Sequence, residues 1–326
     1  MTVVLALLAS IFIGISDFLG GTASRTRSPL ETSVVVFVVT LVTLVPIALL
    51  LGASDLTVHD AGLGAVSGLP TSVAYVGFFT AIGRGRMSIV VPISAAVTAL
   101  LPAIVGIAQG NVLSTVALGG VLCALVAIPL VAYETDNGEQ AAGAGWSPAR
   151  QVLVSILCGV GFGIYFICVG HTHRGSGLWP TVASLVVALA VLVPLAARGG
   201  VLPAVVSLPR LAVAGGVALG LADVALTTAL QRGPLTIASV LGNLYPLVTI
   251  ALGVAVLGER VRSWHAVGIV LAVVGVAMIA AGDDGGPDRG LLHLREQRLP
   301  STTAGPVRRR RAASLSKTGR PSPSTR

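Results

Sequence analysis

Residues 80–85 read Thr-Ala-Ile-Gly-Arg-Gly, and residues 228–233, 148 positions later, read Thr-Ala-Leu-Gln-Arg-Gly. The same offset relates Leu44-Val45-Pro46 to Leu192-Val193-Pro194. Apolar segments match one another easily by chance, whereas matches at proline, glycine and arginine in a constant register do not. The chain is therefore predicted to contain one structural unit twice.

The composition around this repeat excludes a soluble protein. Of the 326 residues, 54% are hydrophobic and 10% are charged, against roughly a quarter charged in an average soluble domain. The apolar content also excludes disorder along the whole length. The net charge of +8 is concentrated in residues 282–326, which hold 10 basic and 4 acidic residues, while the rest of the chain is nearly neutral. Binding of nucleic acid by the body of the protein is therefore not expected.

The apolar residues fall into runs of about 20, which is the length of a helix that crosses a bilayer. The runs lack the alternation of barrel strands, so helices are the expected spanning structure. The sequence thus predicts an all-α integral membrane protein with ten transmembrane helices. The predicted spans are 3–23, 34–51, 61–82, 88–109, 115–133, 152–170, 179–196, 211–231, 235–257 and 264–281.

Each copy of the repeat holds five spans, an odd number, so the second copy must enter the membrane from the opposite side. Such inverted repeats are the layout of many secondary transporters, whose substrate site lies near the midplane between the halves. We predict a first repeat at 1–133, a linker at 134–150, a second repeat at 151–281 and a disordered basic tail at 282–326. The tail is either simply solvated or attracted to anionic lipid.

Two acidic residues lie in the middle of predicted spans. Asp17 lies in the first span on a stripe of small and polar residues, and Asp223 lies on a similar stripe in the eighth. An ionisable group inside a membrane costs several kcal/mol and normally faces a cavity or a partner. We interpret the two aspartates as a site for a cation, a proton or a substrate amine. The alternative is a structural hydrogen bond between helices.

Further candidate binding residues carry hydroxyl or amide groups inside spans. The fourth and ninth spans also contain prolines, which free backbone carbonyls near a cavity. Packing is the alternative interpretation for each of these side chains. The candidates are Ser94 and Thr98 in the fourth span, Ser239 and Asn243 in the ninth, and Tyr75 and Tyr165 elsewhere.

No enzyme signature is visible in the sequence: HExxH, GxSxG and the P-loop are absent, and GxGxxG does not occur in a strand–turn–helix context. Neither a cofactor nor a metal is implied. His171 and His173, at the end of the sixth span, are expected at the membrane interface. Cys123, Cys158 and Cys168 lie in apolar runs and are expected to be reduced.

The ninth span and its surroundings carry a recognisable pattern. It consists of Arg232-Gly233-Pro234-Leu235-Thr236, then Tyr245-Pro246, then Leu257-Gly258-Glu259-Arg260, and then Gly268 and Gly275. This pattern resembles the end of an EamA domain, and residues 85–93 resemble the matching helix of the first half. The drug/metabolite transporter superfamily carries two such domains of five helices. Asn111 stands where the second half has Glu259, so the first half departs from the pattern.

The resemblance implies a transporter that exports amino acids, metabolites or drugs, with both termini in the cytoplasm. We therefore expect a multi-pass protein of the cell membrane that transports a small-molecule substrate by alternating access. A proton or a cation is a candidate coupling partner for this transport. An integral-membrane enzyme or flippase that acts on lipid-linked substrates is the alternative. It would need an acid, a histidine and an arginine clustered at one membrane face, and residues 171–174 are the candidate.

The charges of the loops favour the opposite orientation, with the termini outside the cytoplasm. Nine arginines in short loops fall on the side opposite the termini, and two fall on the same side as the termini. The positive-inside rule would place the nine in the cytoplasm. We adopt the orientation that the resemblance implies.

Overall fold

Ten α-helices lie in the part of the chain that the structure, a computed structural model, describes: residues 2–108, 115–132, 146–201, 209–232, 244–258 and 263–283. No strand occurs in these ranges, and each helix overlaps one predicted span. The helices are α1 (Thr2–Thr26), α2 (Pro29–Leu51), α3 (Val58–Arg84), α4 (Met87–Ala108), α5 (Thr115–Ala132), α6 (Pro148–Gly170), α7 (Trp179–Arg198), α8 (Arg210–Arg232), α9 (Tyr245–Leu257) and α10 (Ser263–Asp283).

The all-helical fold agrees with the prediction. By length and composition, six of the helices in the described ranges are able to cross a membrane, namely α1, α2, α3, α6, α7 and α8. Shorter apolar stretches occur in α4, α9 and α10. That all ten helices cross the membrane stays a prediction, and the predicted tail lies outside the described residues except for 282 and 283.

Local sequence signals explain where several helices begin. α2 starts at Pro29, whose missing N–H costs nothing in a first turn. α3 starts after Thr57, whose side chain accepts a hydrogen bond from the backbone N–H of Asp60 at 3.1 Å. α2 ends before Gly52, which adopts φ +68°, a conformation that glycine adopts without strain.

The outer surface of the bundle is apolar. Leu50 of α2 and Val66 of α3 are 87% and 67% exposed. Large apolar side chains exposed along whole helices would be a liability in water, but they match the chemistry of lipid tails. This surface supports a multi-pass membrane protein.

The helices of the first half pack mainly against helices of the second. α3 contacts α6 and α7, while α8 contacts α1 and α2. α4 packs on α6, α9 packs on α1, and α5 packs on α10. The main buried core contains Phe37, Phe78, Phe79 and Ile82 from α2 and α3, so both helices contribute large side chains to it.

Glycines allow the helices to approach each other closely at two of these interfaces, α3–α7 and α8–α2. A Cβ atom built on Gly68 of α3 would meet the carbonyl oxygen of Ser184 and lie 2.8 Å from the Cβ of Val187 in α7. In α8, a Cβ atom on Gly216 would lie 2.7 Å from the carbonyl oxygen of Val36 and 2.7 Å from the Cβ of Val39 in α2. Small residues at such positions let membrane helices approach closely.

Candidate functional site

Tyr75 of α3 lies at the centre of an aromatic cluster in the bundle. Its ring makes edge-to-face contacts with Phe37 of α2, Phe79 of α3 and Phe162 of α6, with centroid distances of 4.9, 5.6 and 5.0 Å. Phe78 packs on two of these rings. Such contacts add about 0.5–1.5 kcal/mol each beyond area burial. The cluster therefore holds the Tyr75 side chain in a defined position.

Two carboxyl groups approach this tyrosine from two other helices. Asp17 of α1 is 4% exposed, and Asp223 of α8 is half-buried. Both interact electrostatically with Tyr75. α1 and α8 pack extensively on each other, so two side chains that are far apart in the sequence both act on Tyr75.

Two more tyrosines belong to the same cluster. Tyr165 of α6 interacts electrostatically with Asp223, and its hydroxyl lies 3.2 Å from the Oγ1 atom of Thr181 in α7. Tyr245, the first residue of α9, interacts with both Asp17 and Tyr75. We call Asp17, Tyr75, Tyr165, Asp223 and Tyr245 the central polar cluster.

Packing of α1 against α9 explains why Tyr245 reaches Asp17. A Cβ atom on Gly14 of α1 would lie 2.9 Å from the carbonyl oxygen of Tyr245. The hydroxyl of Thr249 in α9 donates a hydrogen bond to the carbonyl oxygen of Gly14 at 3.2 Å. Sequence reasoning did not select Tyr245 as a binding residue. Its place beside Pro246, inside an apolar span, was the available signal.

The hydrogen bonds of Ser94 and Thr98 go to backbone carbonyl groups of α4 and α6 rather than to the central polar cluster. Both are buried in α4, and Ser94 donates to the carbonyl oxygen of Val90 in its own helix. The single hydroxyl proton of Thr98 is shared between the carbonyl oxygen of Ser94 at 2.7 Å and that of Gly159 in α6 at 3.3 Å. Their hydroxyls thus serve the α4–α6 contact, and a ligand role for them stays a prediction. Ser239 and Asn243 lie outside the described residues.

The central polar cluster contains the kinds of group that contact the polar part of a small molecule in binding sites. Two carboxyl groups accept hydrogen bonds or a positive charge, three phenol groups donate or accept, and the phenylalanines offer an apolar wall. Within the described ranges, no group of three histidine, cysteine or acidic side chains is arranged to hold a metal ion. Two outer grooves are lined by apolar residues of α10 and of α2, and neither includes a member of the cluster.

Comparison with known proteins gives a family for the second half. The model of the EamA-like transporter family matches residues 149–281. No curated protein matches the chain. One crystal structure, described only as that of a protein, is 19% identical in sequence, with a TM-score of 0.55 over 90% of this chain and 98% of the other. At that identity the likeness shows a common fold and nothing about activity. Residues 149–281 thus match the EamA-like transporter family, which is part of the drug/metabolite transporter superfamily.

Proposed function

We propose that this protein is a secondary-active transporter of the cell membrane that exports small metabolites, amino acids or drugs by alternating access. One observation carries the proposal: Asp17 and Asp223 both interact electrostatically with Tyr75 inside a bundle whose second half matches the EamA-like transporter family. A carboxyl group at the centre of a membrane helix costs about 2.5–3.5 kcal/mol on insertion scales. Two such groups at one place favour a cavity for a polar substrate or a coupling ion.

The proposed architecture is an inverted repeat of residues 1–133 and 151–281, joined by a linker at 134–150. The helix contacts support it. Three interfaces between halves have an equivalent when the helix numbers are shifted by five: α1–α8 corresponds to α6–α3, α2–α8 to α7–α3, and α1–α9 to α6–α4. The family match over 149–281 supports the boundary of the second repeat.

Individual residues support the same symmetry. Gly68 in α3 and Gly216 in α8 are 148 positions apart and occupy equivalent interfaces. Their contacts are also equivalent, since Val39, which faces Gly216, is 148 positions before Val187, which faces Gly68. A chance resemblance of two helical segments would not preserve which side chain faces which glycine.

In this proposal the two halves rock about the central polar cluster, which becomes accessible from each side in turn. Asp17 and Asp223 select for charge or carry the coupling proton or cation. Tyr75 and Tyr165 orient the substrate through their hydroxyls. Asn243, Ser239, Ser94 and Thr98 are proposed contributors from the two proline-containing helices.

A mutational series tests the role of the aspartates. A metabolite and drug-tolerance screen of deletion and overexpression strains first identifies a transported compound. Uptake of that compound into proteoliposomes is then measured against pH for Asp17→Asn, Asp223→Asn and the double variant. We expect each variant to lose transport or its pH dependence, because the amide cannot exchange a proton or balance a cation.

A matched control is available in Glu31, which is buried at the start of α2 and paired with Arg27 at 3.2 Å. Glu31→Gln removes a buried carboxylate outside the cluster and should leave the pH profile of transport unchanged. If both aspartate variants transport the compound with the parent's rate and pH profile, their proposed role is wrong.

Orientation is the remaining part of the proposal: both termini are cytoplasmic, and the basic tail lies on anionic lipid of that leaflet. Cysteine labelling tests it in a variant whose native cysteines are replaced. Ser54 and Arg198 are exposed at opposite ends of the bundle, after α2 and at the end of α7. With cytoplasmic termini, a membrane-impermeant maleimide should label Arg198→Cys and spare Ser54→Cys in intact cells. The reverse result would invert the topology.

A further inference from the structure

A fully buried carboxyl group lies at one end of the bundle, outside the central polar cluster. Asp60, in the first turn of α3, is 0% exposed. It accepts a hydrogen bond from the backbone N–H of His173 at 3.1 Å, and its two oxygens lie 3.0 and 3.2 Å from the Nδ1 atom of the same histidine. A carboxylate only accepts, so Nδ1 carries the proton in this contact. His173 follows α6, so the contact joins the first and second five helices.

The adjacent loops meet at the same place. The backbone N–H groups of Ser54 and Asp55, between α2 and α3, donate to the carbonyl oxygen of Gly175 at 3.1 and 3.2 Å. Gly175 belongs to the short 3-10 turn between α6 and α7. Hydrogen bonds from side chain and backbone thus connect the α2–α3 loop to the α6–α7 loop and close this end of the bundle.

The opposite end lacks the residues for an equivalent contact. By the offset of 148, the counterpart of Asp60 is Leu208, and by the offset of 149 for the first and sixth helices, the counterpart of His173 is Ser24. Leucine has no polar group, and serine has no imidazole. The positions equivalent to Asp60 and His173 therefore cannot form this charged cross-contact.

We propose that Asp60 and His173 form a latch that holds this end closed and that must open each time this end admits or releases substrate. The proposal rests on the alternating-access function given above. If the halves rock, the first turn of α3 separates from the segment after α6, and every hydrogen bond of the latch breaks. The latch therefore stabilises the state in which this end is closed.

The structure offers a reporter of closure that needs no substrate. A Cβ atom on Gly175 would lie 2.9 Å from the Oγ atom of Ser54. Ser54→Cys combined with Gly175→Cys therefore places two thiols within reach of a disulfide when this end is closed. In a background with Cys123, Cys158 and Cys168 replaced by alanine, the rate of disulfide formation in membranes under mild oxidant measures the closed fraction.

Two variants remove the latch in different ways. Asp60→Asn removes the charge but keeps a carbonyl acceptor, and His173→Ala removes a side chain that is 60% exposed, so the second should fold normally. Loss of a charge-assisted hydrogen bond corresponds to about a tenfold change in an equilibrium. We expect both variants to form the disulfide between the two introduced thiols more slowly than the parent reporter, by up to about tenfold, at an unchanged elution volume in detergent.

The matched control is His171→Ala. His171 is exposed in the same segment, and its Nδ1 atom contacts the carbonyl oxygen of Ile167 in its own helix at 2.7 Å. The reporter that carries His171→Ala should form the disulfide at the same rate as the parent reporter. Equal rates for the parent, Asp60→Asn and His173→Ala would overturn the latch.

A transport measurement tests the requirement for opening. The oxidised reporter should lose transport of the screened compound, and a reducing agent should restore it. Full transport by the oxidised protein would overturn the proposal while leaving a transporter in place. Absence of any transport by the parent would instead refute the proposed function, and the cross-linking rates would still decide whether the latch exists.

Discussion

A Cβ atom at position 68 is expected to force α3 away from α7. The substitution Gly68→Ala is therefore a direct test of how these two helices pack. Alanine at this position would place its methyl group against the carbonyl oxygen of Ser184 and 2.8 Å from the Cβ of Val187. Ordinary van der Waals contact begins at 3.4 Å, so the two backbones must separate by more than half an ångström. Overpacking of this kind costs about 1–3 kcal/mol.

Gly62, on the same helix, is the matched control because no atom lies within 4 Å of a Cβ built there. Replacing glycine by alanine within a helix gains up to about 1 kcal/mol from propensity. This gain is common to both variants and cancels in their difference. We therefore expect Gly68→Ala to be less stable than Gly62→Ala by about 1–3 kcal/mol.

Unfolding in detergent by SDS titration, followed by circular dichroism, measures the difference. Gly216→Ala should show a loss of the same kind, because its Cβ atom would lie 2.7 Å from atoms of Val36 and Val39. If Gly68→Ala and Gly62→Ala unfold at the same SDS fraction, α3 and α7 do not pack as described.

Three other substitutions have defined outcomes. Thr98→Val should lower stability in the SDS titration by about 0.6 kcal/mol, the average for interhelical hydrogen bonds in membranes, because the bond to Gly159 is lost. Trp146→Ala removes the ring that Arg150 covers at 4.3 Å and should cost about 0.5–1 kcal/mol, and Trp146→Phe should recover part of the loss. Thr57→Ala removes the N-cap of α3 and should lower stability by about 1 kcal/mol in the same titration, with Thr57→Ser close to the parent.

Helix positions were predictable because they depend on local composition. The span predicted at 34–51 became α2, which begins five residues earlier at Pro29. A hydropathy pattern locates the apolar segment, whereas the helix also includes a polar first turn with Glu31 and Thr32, both buried by neighbouring helices. The difference arises because burial against protein, unlike burial in lipid, accepts polar side chains that are paired.

The candidate site was predictable only in part. Asp17, Asp223, Tyr75 and Tyr165 stood out as polar groups in apolar spans, and the structure brings them together. Their functional roles remain proposals. Asp60 did not stand out, because it lies at a helix start, where an acidic residue is ordinary.

The sequence alone determined that this is an all-helical membrane protein, because runs of about 20 apolar residues satisfy their backbone in lipid only as helices. It also predicted the duplication, through matches such as residues 80–85 with residues 228–233. Helical periodicity assigned Asp17 and Asp223 to polar stripes but left open what each stripe faces.

Only the tertiary structure decided which polar side chains meet. Close packing at glycines such as Gly14 and Gly68 sets how each helix is rotated against partners distant in sequence. That rotation brings Asp17 and Asp223 to Tyr75 and brings Asp60, 113 positions away, to His173. Contacts of this kind depend on how several helices pack together, and a local sequence pattern does not predict that packing.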